Sequence, residues 1–131
     1  MAFDSGVGET LARYLTQRSQ YRPSDNTVKH TVFMPPASAR LSVYCIDDLS
    51  EAEICTIGRD YVAAPMQKTL LGRADLNSLR VYENKLRIDP TQVPHLRHAD
   101  IVGWDMAGTE TRLIAMKLAS AAFLRLVPNP N

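Results

Sequence analysis

The chain has 131 residues, 45% apolar and 22% charged, with a formal net charge of +1. That length suits a single domain, residues 1–131, able to fold around an apolar core without disulfide or metal. A charge so near zero excludes a general attraction to nucleic acid or anionic lipid, and the apolar content excludes disorder through the body of the chain.

Two cysteines without a repeated spacing do not make a disulfide scaffold. Met1 to Gly6 lacks a basic-then-apolar leader, and no run approaches the ~18 apolar residues of a membrane span. A soluble, cytoplasmic protein with no membrane partner is expected.

In chain order, residues 8–19 read as a helix, with Leu11, Tyr14, Leu15 and Arg18 at helical spacing and Asp4 and Ser5 as caps. Tyr21 to Asn26 breaks it, so residues 1–27 form a helix and arm outside a core of residues 28–126. Val28 to Met34 reads as extended and ends at Pro35-Pro36. Leu41 to Ile46 alternates cleanly and is the clearest strand; the two segments are candidates to pair across the proline loop.

Ser50-Glu51-Ala52-Glu53 is a capping box. It predicts a helix from Glu51 to Thr56 or Ile57, closed by Gly58 at the position that favours positive φ. The acidic run Asp47, Asp48, Glu51, Glu53 and Asp60 then belongs to a helix N-terminus and its solvated face. Tyr61 to Ala64 reads as a short strand, and Leu70 to Asp75 as a turn-like entry.

Residues 75–89 allow two readings. One is a helix on Leu76, Leu79 and Tyr82, capped by Asp75 and ended by Asn84, followed by a strand at Leu86 to Ile88. The other is a hairpin around Glu83-Asn84-Lys85. The helix is favoured. Pro90 to Pro94 is a loop, and His98 to Val102 a strand ended by Gly103. Thr109 to Leu126 is the strongest helix, with Leu113, Ile114, Met116, Ala121, Phe123 and Leu124 as its apolar stripe. Residues 127–131 are a short tail. The fold class is α+β, a small, mostly antiparallel sheet packed against a long C-terminal helix. On that helix Phe123→Ala is expected to cost about 3–5 kcal/mol.

The densest chemistry lies in Pro94 to Trp104. His95 and His98 have the H-x-x-H spacing that binds one metal when both sit on a helix, with Cys45 or Cys55 as thiolates. Pro94 and Ile101-Val102 favour loop and strand instead, so no metal and no cofactor are expected. His98 and Asp100 share one face of a strand, where a carboxylate can orient a general base, with Arg97 beside them. The bland reading is an ion pair and a backbone-bonded histidine.

Arg73, after Gly72, forms with Arg97 a candidate anion site. The bland alternative is an arginine that ties down a loop. Cys45 and Cys55 read as buried hydrophobes rather than nucleophiles. Arg13, Arg18, Arg22, Lys29 and Arg40, interleaved with Tyr14 and Tyr21, give residues 13–40 a basic character suited to phosphate contacts.

Several motifs occur in a fixed order: His30-x-x-Phe33-Met34-Pro35, Leu41-Ser42-Val43-Tyr44 and Leu49-Ser50-x-x-Glu53-Ile54-x-x-Ile57-Gly58. Gly72-Arg73-Ala74-Asp75 follows, then Arg97-His98-Ala99-Asp100-Ile101-x-Gly103-Trp104 and an Ala/Leu-rich helix. Over residues 28–126 this order resembles a family of small uncharacterised bacterial proteins carrying an Arg-His-Ala-x-Ile-x-Gly-Trp segment. The resemblance implies a bacterial or phage-related soluble domain and supplies no activity or cofactor.

With no complete catalytic motif, the favoured function is a small accessory or protein-interaction domain that binds another protein, homo-oligomer included, without catalysis of its own. The alternatives are a small enzyme or anion-binding protein using Arg73, Arg97, His98 and Asp100, and a nucleic-acid-binding module through residues 13–40.

Overall fold

The computed structural model describes residues 8–128. Eight strands and three α-helices follow one another: β1 (Thr10–Leu15), β2 (Tyr21–Arg22), β3 (Thr27–Val28), β4 (Leu41–Cys45), α1 (Glu51–Ile57), β5 (Gly72–Asn77), α2 (Ser78–Glu83), β6 (Arg87–Asp89), β7 (His98–Val102), α3 (Glu110–Ala121) and β8 (Phe123–Leu126). Six strands form one sheet in the order β6-β7-β4-β1-β5-β8, and every pair is antiparallel. β2 and β3 form a separate small hairpin beside α3 and β8. The fold is thus α+β, as expected. No helix among the described residues is long and apolar enough to cross a membrane.

β1 is a central strand, which corrects the helix read over residues 8–19 and brings this segment inside the core. Its expected caps, Asp4 and Ser5, lie outside the described residues. Both faces of β1 are buried: Leu11 and Leu15 join one apolar cluster, Ala12 and Tyr14 the other. A strand covered on both sides loses the alternation that marks a half-exposed one, and here it imitates helical spacing.

The predicted extended segment 28–34 is instead β3 followed by a 3₁₀ turn at His30–Phe33, so β4 pairs with β1 and β7 and not with that segment. Beyond Ala12↔Tyr44 the β1–β4 ladder ends. There Arg13 enters the gap and donates from Nε to the Val32 carbonyl (3.0 Å) and from Nη1 to the Ser42 carbonyl (3.1 Å).

α1 starts at its capping box. Glu53 N–H donates to Ser50 Oγ at 3.1 Å, and Ser50 N–H donates to Glu53 Oε1 at 3.0 Å. Gly58 does not end it in a left-handed turn, because its φ is −61°. The chain continues as a π-helical turn over Gly58–Ala63 and a 3₁₀ turn over Ala64–Met66, so Tyr61 to Ala64 is helical and not a strand. Glycine is needed at position 58 for clearance, since a Cβ there would lie 2.6 Å from the Tyr14 ring. Tyr14 Oη in turn donates to the Ile54 carbonyl at 2.7 Å.

Leu70 to Asp75 is not a turn but the approach to and body of β5. Its Gly72 passes so close to β8 that a Cβ would lie 2.6 Å from the Arg125 carbonyl oxygen. α2 has the helical form favoured for residues 75–89, but its cap is Asn77, whose Oδ1 accepts from Leu79 N–H at 2.8 Å.

The long terminal helix is shorter than its apolar pattern predicts. α3 ends at Ala121, and residues 123–126 turn back as β8 along β5. The buried positions of α3 are Thr111, Ala115, Leu118 and Ala119. Leu113, Met116 and Phe123 are exposed, so the stripe drawn through them is corrected.

Candidate functional site

The Pro94 to Trp104 segment divides its side chains between the two faces of the sheet. Ala99, Ile101 and Trp104 enter the apolar core, and Trp104 Nε1 donates to the Ile101 carbonyl at 3.0 Å across the positive-φ Gly103. On the opposite face β7 carries His98 and Asp100, and the β4 register sets Tyr44 beside His98 and Ser42 beside Asp100. His98 Nε2 lies 3.7 Å from Asp100 Oδ1 and 2.6 Å from Ser42 Oγ, while Nδ1 bonds the Thr91 hydroxyl. Arg40 completes the cluster, donating from Nε to Asp100 Oδ2 at 2.8 Å and pairing with Asp89 through Nη2.

Burial lowers the His98 pKa, Asp100 opposes that shift and Arg40 adds to it. The imidazole is therefore neutral at neutral pH, with one donor and one acceptor, and two hydroxyls satisfy both. This is not a hydrolytic triad. A triad sets its carboxylate on the nitrogen opposite the serine. Here Thr91 occupies that nitrogen, while Asp100 lies on the serine side and is held by Arg40. The cluster ties β4, β7 and the 90–97 loop together. Ser42 and Thr91 were not singled out from the sequence, because only the strand register and the loop path bring them to His98.

His95 does not join it. Its Nδ1 accepts from Arg97 N–H at 3.0 Å, and its ring packs edge-on to Tyr61 at 4.9 Å between centroids. With both His98 nitrogens taken by hydroxyls, the two histidines form no metal pair, and the H-x-x-H reading is set aside. Arg97 is also apart from His98 and Asp100. It donates from Nη1 to the Asp47 carbonyl at 2.8 Å, and its own carbonyl accepts from Cys45 N–H, fixing the end of β4 to the start of β7.

Arg73 stands on the same face three strands from β7, across β4 and β1. It donates from Nε to Asp75 Oδ1 at 2.9 Å and from Nη1 and Nη2 to both oxygens of Glu51, at 2.9 and 2.8 Å. Burial works against its charge, but these carboxylates outweigh it and raise the pKa. Arg125 adds a weaker contact, Nε to Asp75 Oδ2 at 3.4 Å, at the rim of a cleft of about 400 Å³. Every nitrogen of Arg73 thus bonds a carboxylate, and Arg97 belongs to another corner. The two arginines do not converge on an anion.

One grouping was invisible in the sequence. Glu9, Cys45 and Asp47 bring two carboxylates and a thiol within 4.8 Å of one another, the donor set a cation could use. The thiol donates to Glu9 Oε2 at 3.2 Å, and burial pushes its pKa up to about 12. Cys45 is therefore a protonated donor and not a nucleophile. Of the basic residues 13–40, Arg13 is a backbone tie, Arg40 is held by two carboxylates, and Tyr14 and Tyr21 are buried. Neither tyrosine is placed to stack on a base.

Among the described residues no buried side-chain nitrogen or oxygen lacks a hydrogen-bond partner. Comparison of the chain with protein-family models, with curated proteins and with solved structures finds no match in any of the three.

Proposed function

We propose that this is a small protein-interaction domain that docks a partner along the open edge of its sheet and performs no chemistry of its own. The observation that carries this reading is a contrast. The reactive-looking side chains are closed into local networks, while among the described residues β8 is hydrogen-bonded on one side only and leaves Phe123 73% and Leu126 43% exposed. An edge strand with unused backbone groups and apolar side chains is a ready template for strand addition. The two free cysteines suit a reducing, cytoplasmic compartment. The Arg97 to Trp104 segment supports, by resemblance, a bacterial or phage-related source.

The test is photo-cross-linking in cells from a benzophenone amino acid placed at position 123. The reading expects a cross-linked protein adduct, to another protein or to a second copy, that disappears with Leu124→Pro. An adduct that survives that substitution, or none at all, overturns it. A serine-directed fluorophosphonate tests the non-catalytic half. Labelling that is lost in both Ser42→Ala and His98→Asn would show a working nucleophile.

A further inference from the structure

We infer that the partner at β8 is a second copy of this chain, joined antiparallel and centred on Leu124. The inference rests on the docking-edge reading above and adds the identity of the occupant. The backbone parity comes from two independent bonds. Val127 N–H donates to the Leu71 carbonyl, and Ser78 N–H donates to the Glu9 carbonyl. With the registers Gly72↔Leu126 and Thr10↔Asn77, these aim the backbone groups of residues 123, 125 and 127 at β5, and those of Leu124 and Leu126 outward.

An edge whose outward groups fall at alternate residues can meet its own copy in few registers. Centred on Arg125, the pairing opposes two guanidinium groups, and centred on Leu126 it leaves Phe123 opposite no described residue. Centred on Phe123, it runs into α3, which ends at Ala121. Centred on Leu124, the two Leu124 residues exchange both backbone bonds, and each Leu126 N–H reaches the Ala122 carbonyl of the other copy. Phe123 then lies directly opposite Arg125 of the other copy, a ring-and-guanidinium pair made twice by the two-fold axis.

The opposite edge of the sheet supplies the control. β6 has three residues, places Arg87 and Asp89 at its ends and is followed by Pro90. These are the devices that blunt an edge, a short length, charges and proline. β8 reads Phe-Leu-Arg-Leu and carries neither lysine nor proline within it. Among the described residues one edge is guarded, while the other pairs with no further strand and is self-complementary. The contact is short, so the dimer is weak and reversible.

The experiment is sedimentation velocity of the purified full chain over a concentration series, with amide exchange at Leu124 and Leu126 read in parallel. A reversible dimer is expected, with both amides protected as concentration rises. Phe123→Lys opposes like charges twice and should weaken the dimer by about tenfold or more. Phe123→Tyr keeps an aromatic ring opposite each Arg125 and should hold it. Leu124→Pro removes an outward N–H while leaving the β5 ladder whole, and should abolish it.

A chain that stays monomeric to about 0.5 mM overturns the inference. So does a dimer indifferent to Phe123→Lys, or one that leaves both amides unprotected. If the chain is monomeric while cross-linking from position 123 captures a different protein through Leu124, only the self-pairing fails. If neither contact forms, the docking-edge reading falls with it.

Discussion

On one face of the sheet, Leu11, Leu41, Val43, Leu76 and Ile101 pack with Phe33, Trp104 and Leu118 into a continuous apolar cluster. On the other, a smaller cluster of Ala12, Tyr14, Tyr44, Ile54 and Ile57 sits between two polar knots, His98–Ser42–Asp100–Arg40 at one end and Arg73–Asp75–Glu51 at the other. The first face is held by non-directional burial, which tolerates exchange of one apolar group for another of similar volume. The second is held by directional bonds between charges partly out of water. Such a network stabilises only when each member is answered, and losing one partner strands the rest.

The sharpest way to break this comparison starts on the apolar face. Phe33 is fully buried, and Phe33→Ala should lower unfolding stability by about 3–5 kcal/mol in a denaturant melt, whereas Phe33→Leu should cost far less. A similar loss for both variants would mean that this face also depends on particular shapes.

The polar face gives the next largest effect. Arg73→Met strands Asp75, which is buried with it, and should cost about 3 kcal/mol. Arg125, at 3.4 Å from the same carboxylate, absorbs part of that loss. The double variant Arg73→Met with Asp75→Leu should recover most of it. Additive losses would show that the pair is two independent contacts and not a network.

The elements legible in the sequence were those whose signal is local. The Ser50–Glu53 box sets α1, the alternation from Leu41 sets β4, and Gly103 closes β7. The elements misread take their form from tertiary pairing. β1 is buried on both faces, so its apolar residues lost their period of two. β5 carries Gly72, Arg73 and Asp75, a turn-like composition, yet the glycine answers the approach of β8 and the charges answer each other and Glu51. β8 continued an apolar pattern indistinguishable from α3 until the open edge of β5 claimed it. The site followed the same rule. The face shared by His98 and Asp100 could be read from strand periodicity, while Ser42 and Thr91 depended on register.

A smaller effect separates the two knots by pH. Burial holds the His98 pKa below its ordinary value of 6.5, so between those two values the unfolded chain binds a proton that the folded chain refuses. The stabilisation is complete above pH 6.5 and is lost as pH falls through the lowered folded value. Thermal melts at pH 7.5 and 5.5 should show a drop in Tm that His98→Asn reduces. Glu51→Gln, in the other knot, should leave that pH-dependent drop in place, because Arg73 holds the Glu51 carboxyl below its ordinary value. A drop of the same size in the His98 variant would assign the acid sensitivity elsewhere.

The smallest effect is the most instructive. Read as part of a long apolar helix face, Phe123→Ala should cost as much as Phe33→Ala. Standing 73% exposed on an edge strand, it removes little buried area, and at dilute concentration the unfolding midpoint should move by less than about 0.5 kcal/mol. The same variant should show its effect only where copies meet, as a weaker dimer at high concentration, because Phe123 then loses the Arg125 guanidinium opposite it. A stability loss at dilution would place Phe123 under cover within its own chain. A silent variant at both concentrations would remove the ring from the edge contact altogether. Stability that responds to Phe123 only as the chain is concentrated is the behaviour that separates a docking residue from a core residue.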